Sequence, residues 1–177
     1  MLVRADEKGL EDAARVLNAG GVVVIPTDTV YGLAAHPAFP AAVARLYAIK
    51  GRAAQKPIAL LAADVAAVRA FGYAVPDRLA KFWPGALTVV VGPEGFRVPD
   101  HAWTRELLRR CGGVLRVTSA NLSGRRAATD APQAHVGLSA DLVVDDGLSP
   151  GGVPSTVVRV LEDGTSTVLR AGAVTVS

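Results

Sequence analysis

Four consecutive β-branched residues, Val22–Ile25, stand between Gly20-Gly21 and Pro26. A run without polar alternation predicts a strand buried in a sheet. Just before it, Leu10, Ala13, Ala14 and Leu17 recur at helical spacing, which predicts a helix over Lys8–Ala19 that Gly20-Gly21 stops. After it, Pro26 ends the pairing and a hydroxyl-rich stretch follows, Pro26–Leu33, PTDTVYGL. A second apolar run, Val114–Val117, delivers a second such stretch, Thr118–Gly124, TSANLSG. Each is a turn on the end of a predicted strand, and the two are expected to meet across one cleft.

The rest of the chain alternates loosely. Ala41–Ile49 predicts a helix with Val43, Leu46 and Tyr47 on one side and Gly51 as its C-cap. Pro57–Ala62 predicts a strand, and Asp64 a cap for a helix over Val65–Phe71. Pro76 opens a short helix as its first-turn residue, running to Trp83, and Pro84-Gly85 breaks it. Ala86–Val91 and Phe96–Val98 predict strands, with a helix over Thr104–Arg110 closed by Gly112-Gly113. Asp130 caps a short helix to Val136, and Ala140–Val144 is a strand. Ser155–Leu161 and Thr165–Arg170 flank Asp163-Gly164, a strong hairpin signal. Helices and strands mix without strict alternation. The expectation is a single α/β domain, residues 1–177, with an open, twisted, mixed sheet and flanking helices.

Composition excludes several classes. No apolar run approaches the ~20 residues that span a bilayer, and Met1–Asp6 lacks the apolar core of a signal peptide, so a cytoplasmic protein is expected. The lone cysteine, Cys111, excludes an internal disulfide framework. His36, His101 and His135 are scattered without ligand spacing, and no metal site is expected. P-loop, dinucleotide and nucleophile-elbow motifs are absent. The net charge is only +3, although Arg105, Arg109 and Arg110 lie close together, as do Arg125 and Arg126. Such groups form solvated faces more often than RNA-binding stripes.

The remaining signals suit a polyanionic small molecule. In PTDTVYGL, Thr27, Thr29 and Tyr31 alternate, so an extended segment presents all three hydroxyls on one side, and Gly32 lets the backbone approach a ligand. The same stretch is equally a plain link from strand to helix. TSANLSG groups Thr118, Ser119, Asn121 and Ser123, which suit phosphate oxygens or, as readily, a helix N-cap. Lys50 and Arg52, with Lys56 nearby, either serve the helix dipole or grip phosphates. Arg97 and Arg170 sit at predicted strands among apolar neighbours, where a buried guanidinium needs a structural carboxylate or a ligand anion.

Taken in order, PTDTVYGL, Lys50-Gly51-Arg52, KPIALL at Lys56–Leu61, FWPGALT at Phe82–Thr88, RVPDH at Arg97–His101, TSANLSG and PSTVV at Pro154–Val158 resemble the Sua5/YrdC/YciO family of L-threonylcarbamoyladenylate synthases. The resemblance runs from Gly20-Gly21 to Gly172. It implies an open α/β fold with a large, concave, basic cleft. It implies a nucleotidyltransferase that joins L-threonine, bicarbonate and ATP with release of pyrophosphate, in the t6A37 modification of tRNA. A separate tRNA threonylcarbamoyl transferase complex is the implied downstream partner, and Mg2+ would travel with ATP.

The resemblance further implies that Lys50, Arg52, Ser119 and Asn121 hold the ATP phosphates and carry catalysis, with Lys56 and Arg170 also binding ATP. Thr29, Arg97 and Ser155 would hold threonine, Arg97 on its carboxylate, with Thr27 and Tyr31 lining the same pocket. Leu60 and Leu61 stand where longer members often carry a histidine, and Arg116 where a small residue is usual. The competing reading is a YciO-like protein that binds tRNA or other double-stranded RNA with weak or different activity.

Overall fold

The computed structural model describes residues 1–50, 57–121, 129–131, 139–150 and 153–176. Its strands are β1 (Leu2–Arg4), β2 (Val22–Ile25), β3 (Gly32–Ala35), β4 (Leu60–Ala62), β5 (Leu87–Val91), β6 (Glu94–Arg97), β7 (Val114–Ser119), β8 (Leu142–Asp145), β9 (Thr156–Val160) and β10 (Ser166–Arg170). The helices among these residues are α1 (Glu7–Asn18), α2 (Pro40–Lys50), α3 (Val65–Ala70), α4 (Asp77–Ala80) and α5 (Ala102–Arg110). All ten strands form one sheet in the order β1-β8-β2-β3-β7-β4-β6-β5-β9-β10. β1–β8, β8–β2, β4–β6 and β5–β9 pair parallel and the other neighbours antiparallel, so the sheet is mixed, as expected.

Local chemistry explains most element boundaries. Asp6 caps α1 by accepting from the Gly9 amide at 2.8 Å, and Asp64 caps α3 through the Ala67 amide at 2.8 Å. His101 caps α5 with Nδ1 accepting from the Thr104 amide, so that helix begins at Ala102 rather than Thr104. α4 is shorter than expected: Pro76 takes the N-cap position, and turns beginning at Lys81 lead to a cis Trp83–Pro84 bond. Two strands were not anticipated. β1 is a three-residue edge, and β3 has the small side chains of Gly32-Leu33-Ala34-Ala35, which carry little β-propensity of their own. β3 exists because both its edges pair, to β2 and to β7. The expected Gly51 cap and most of the expected Asp130–Val136 helix lie outside the described residues.

Strand register sorts the side chains onto two faces. One face carries Val22, Val24, Leu33, Ala35, Leu60 and Phe96 and is covered by α2, α3 and α4 through Leu46, Val68 and Leu79. The other carries Val23, Ile25, Ala34 and Leu115 and is covered by α1 and α5 through Leu10, Leu17, Leu107 and Leu108. Cys111, at the C-terminal end of α5, is buried in that second core, and burial pushes its thiol up to about 11. α1 and α5 do not reach the far end of their face, where β7, β4, β6, β5 and β9 continue. The uncovered part is a cleft of about 700 Å³.

Candidate functional site

The cleft is lined by cleft-facing residues of these strands, among them Leu61, Thr88, Val90, Gly95, Arg97, Val117, Ser119 and Val157, with Thr27, Thr29 and Ser155 on its walls. Its charged lining side chains among the described residues are Arg97, Arg159 and Arg170. Register settles two open positions. Arg116 lies opposite Ala35 and Leu60, on the face turned away from the cleft, where it forms a two-pronged pair with Glu94 at 2.8 and 2.6 Å. Leu60 shares that hidden face, whereas Leu61 lines the cleft.

At one end, Lys50 closes α2 and its ammonium, in a residue 5 % exposed, crosses to the end of β7. It donates to Ser119 O at 2.8 Å, Ser119 Oγ at 3.3 Å and Asn121 Oδ1 at 2.7 Å, and Ser119 Oγ donates to Asn121 Oδ1 at 2.6 Å. Three of the residues expected to carry catalysis are therefore one contact group. Thr118 and Ser119 are strand residues rather than turn residues. Arg52 and Lys56, and the Ser123, Gly124, Arg125, Arg126 and His135 positions, lie outside the described residues.

The second group gathers around Arg97, which is 6 % exposed at the end of β6. Nη1 donates to Asp28 Oδ1 at 2.6 Å and to Gly85 O at 3.3 Å, and Nη2 donates to Thr29 Oγ1 at 3.1 Å. The buried arginine has the structural carboxylate that its burial requires. Nε–H and one Nη2–H have no partner among the described residues, and such a pair suits a carboxylate held by two bonds. Thr88, on β5 beside Arg97, meets Ser155 Oγ at 2.8 Å. Thr29 and Ser155, both expected at a threonine pocket, thus flank Arg97.

Thr27 and Tyr31 are placed differently from the expectation of three hydroxyls on one side. Thr27 Oγ1 donates to Val30 O at 2.6 Å and accepts from the Thr29 amide at 3.1 Å, so it shapes the turn that presents Thr29. Tyr31 is 1 % exposed with its ring in the core beside α2. Its hydroxyl donates to Gly147 O at 2.7 Å and accepts from the Asp146 amide at 2.9 Å, and burial pushes its pKa up. The segment bends between Thr27 and Tyr31, so strand alternation does not apply. Gly32 lines the cleft, and packing supplies a further reason for a glycine there. A Cβ there would meet Val117 Cγ1 at 2.5 Å, so its missing side chain accommodates a neighbouring strand.

Arg170 reaches the cleft through a register shift. Val168 pairs with Val158 and Arg170 with Val157, so β10 carries one residue more than β9 across that step. The irregularity turns Arg170 onto the cleft face. There Nη2 donates to Ser155 O at 2.8 Å and Ser155 Oγ at 3.2 Å, placing Arg170 on the Ser155 wall.

Sequence reasoning missed Asp28, Thr88, Gly95 and Arg159. Asp28 was the one findable in advance: a buried arginine demands a carboxylate, and Asp28 sits inside the hydroxyl-rich stretch itself. By contrast, the α5 arginines are engaged locally. Arg105 donates to Ala63 O, Arg109 pairs with Glu106, and Arg110 pairs with Glu7 and Glu106. No helix among the described residues is long and apolar enough to cross a membrane.

Residues 15–172 match the family model Sua5_yciO_yrdC, described as "Telomere recombination". The putative threonylcarbamoyl-AMP synthase of Mycobacterium leprae is 36% identical over 190 residues, covering 96% of this chain and 86% of that protein. The threonylcarbamoyl-AMP synthase of Homo sapiens is 35% identical over 188 residues, covering 93% of this chain and 67% of that protein. Among solved structures, P. abyssi Sua5 complexed with L-threonine is similar with a TM-score of 0.87 at 27% identity. The match covers 97% of this chain and 57% of the P. abyssi chain, so this chain spans little more than half of that protein's length.

Proposed function

This chain belongs to the Sua5–YciO–YrdC family, and we propose that it is a threonylcarbamoyl-AMP synthase, joining L-threonine, bicarbonate and ATP. The observation that carries the reading is the pairing of two chemically distinct groups at one cleft. Arg97 with Thr29 and Ser155 suits an amino acid carrying a carboxylate and a hydroxyl. Lys50 with Ser119 and Asn121 suits phosphate oxygens. The curated relatives bear the name of this activity, and the similar P. abyssi structure is a complex with L-threonine.

The chemistry asks for positioning and charge rather than for a protein nucleophile. The amine of threonine takes up bicarbonate carbon, water leaves, and a carbamate results. A carbamate oxygen then bonds to the α-phosphorus of ATP as the bond to the β-phosphate oxygen breaks. Pyrophosphate carries the electron pair away, which makes the enzyme a nucleotidyltransferase. Arg97, fixed by Asp28, holds the threonine carboxylate with its remaining N–H groups, and Thr29 and Ser155 address the hydroxyl. The ammonium of Lys50 and the hydroxyl of Ser119 balance phosphate charge. Arg52, Lys56 and Arg170 are proposed to contribute further phosphate contacts. Among the described residues no group of three or more His, Cys, Asp or Glu side chains gathers. Mg2+ is proposed to ride on the phosphates and neutralise them there, since it keeps several waters and binds readily to substrate phosphates. The product would pass to the tRNA threonylcarbamoyl transferase complex in the cytoplasm.

The test is pyrophosphate release from ATP, Mg2+ and bicarbonate with each amino acid in turn. Release that depends on threonine and falls by about 10²–10³ in Lys50→Ala supports the proposal. Release indifferent to threonine overturns it, and tRNA binding that survives Arg97→Ala and saturating ATP would favour the RNA reading.

A further inference from the structure

The face of the sheet turned away from the cleft carries two apolar clusters, one under α2 and one under α3 and α4. Arg116 stands between them, opposite Ala35 of the first and Leu60 of the second. Its partner is Glu94, and the two side chains are only 19 % and 11 % exposed. Apolar residues of similar size often stabilise such a position as well as a buried ion pair does. Stability alone therefore gives little reason for charge there, and what else the pair holds matters more.

The guanidinium holds Ile58. This residue lies just before β4, outside its ladder, and is 1 % exposed, so its backbone groups need other partners. Arg116 Nη1 donates to Ile58 O at 2.9 Å, and the Ile58 amide donates to the Tyr47 hydroxyl at 3.1 Å. One side chain of β7 and one of α2 thus grip the same residue. Glu94 takes Nη1 and Nη2 at 2.8 and 2.6 Å, which leaves Nη1 a second hydrogen for Ile58 O. The two gripping elements also carry the phosphate group. Tyr47 is one turn before Lys50 on α2. Arg116 is three residues before Ser119 on β7, so the two side chains lie on opposite faces. Lys50 crosses from α2 to the end of β7 to reach Ser119 O at 2.8 Å and Asn121 Oδ1 at 2.7 Å. That crossing is only as well fixed as α2 is against β7.

We propose that Tyr47 and Arg116 are positioning residues for the phosphate end of the cleft: by gripping Ile58 they lock α2 to β7 and hold the Lys50 ammonium where a triphosphate needs it. The inference deepens the reaction proposed above and rests on it. Neither residue lines the cleft, so both act through Lys50 and Ser119.

The experiment compares wild type, Tyr47→Phe, Arg116→Lys, and Arg116→Met made together with Glu94→Leu so that no charge is left unpaired. Each is titrated calorimetrically with inorganic triphosphate and with L-threonine, each alone, and assayed for kcat of threonine-dependent pyrophosphate release. In the double variant triphosphate should bind about ten-fold more weakly, the scale of one hydrogen bond to a charged group. Its kcat should fall by up to about 10²-fold, the scale of a group misplaced by about 1 Å. L-threonine affinity should not move. Tyr47→Phe should shift both quantities the same way by less. Arg116→Lys keeps a cation for Glu94 and Ile58 O but loses the fork, so it should recover part of the loss. A folded double variant with wild-type triphosphate affinity and kcat overturns the proposal even if its Tm falls, and so does an equal loss of L-threonine. A wild type that binds no triphosphate overturns it too. If the double variant does not fold, Tyr47→Phe and Arg116→Lys carry the same comparison. The two readings fail separately. A wild type without threonine-dependent pyrophosphate release sinks the reaction, while the contrast between triphosphate and L-threonine still reports on the grip.

Discussion

One face of this sheet is core at one end and cleft at the other. Under α1 and α5 the side chains are Val23, Ile25, Ala34 and Leu115, and water is excluded. Beyond those helices the same face carries Thr88, Gly95, Arg97 and Ser119. The backbone is equally well paired in both halves. The difference therefore lies in what covers the strands, and uncovered strands can hold polar and missing side chains that a dry core would penalise. The sheet fixes these groups rigidly, while the lack of a covering helix leaves them reachable.

The sharpest way to break this comparison is at Asp28, whose carboxylate is 13 % exposed and holds a guanidinium 8 % exposed. Asp28→Ala removes one partner of a buried pair and strands Arg97 as an uncompensated charge, at a cost of about 3–5 kcal/mol. Arg97 also loses the contact that orients it, so threonine should bind more weakly in whatever protein remains folded. Denaturant unfolding and threonine titration together check this. An unchanged denaturation midpoint would mean that Asp28 is not the partner Arg97 relies on.

The covered half should respond in stability alone. Leu107 is fully buried between α5 and the sheet, and Leu107→Ala leaves a cavity costing about 2–5 kcal/mol. Under conditions where the variant is folded, its affinity for ATP and threonine should match wild type. A loss of affinity equal to that of Asp28→Ala would show that the two halves are not separable.

How much of this contrast could be read in advance differs by residue type. The core half was legible because Val22–Ile25 and the α1 pattern carry their own periodicity. Central β3 was not, because Gly32–Ala35 is a strand only by virtue of two partners, β2 just before it and β7 more than 80 residues later in the sequence. On the cleft side, Thr29, Arg97, Ser119 and Lys50 were legible as residue types and through the family resemblance. Their grouping was not, since it depends on β6 and β7 lying either side of β4. Tyr31 lines the cleft as the resemblance implies, but the alternation that would put its hydroxyl beside those of Thr27 and Thr29 fails where the chain bends. The face of Arg116 could be decided only from its register with Ala35 and Leu60.

The smallest expected effect lies at the junction that holds the covered end together. Asp141, just before β8, accepts from the Val22 amide at 2.8 Å and from Arg45 Nη1 at 2.7 Å, tying α2 to the sheet. The Arg45 hydrogen bond first, aided by the Val22 amide and opposed by partial burial, lowers its pKa below the ordinary carboxylate value. A depressed folded pKa means the contribution is fully present above the unfolded value, near 4, and is lost as pH falls through the lower folded value. Both side chains are about two-fifths exposed, so screening keeps the pair below about 1 kcal/mol. Asp141→Asn should therefore lower the midpoint of thermal unfolding slightly at pH 7, with the gap to wild type closing toward pH 3 and shrinking in high salt. Threonine affinity at pH 7 should not move, because Asp141 ties down the covered end and not the cleft. A gap that widens in acid would mean that the carboxylate stabilises the fold in its protonated form, opposite to what the Arg45 contact requires.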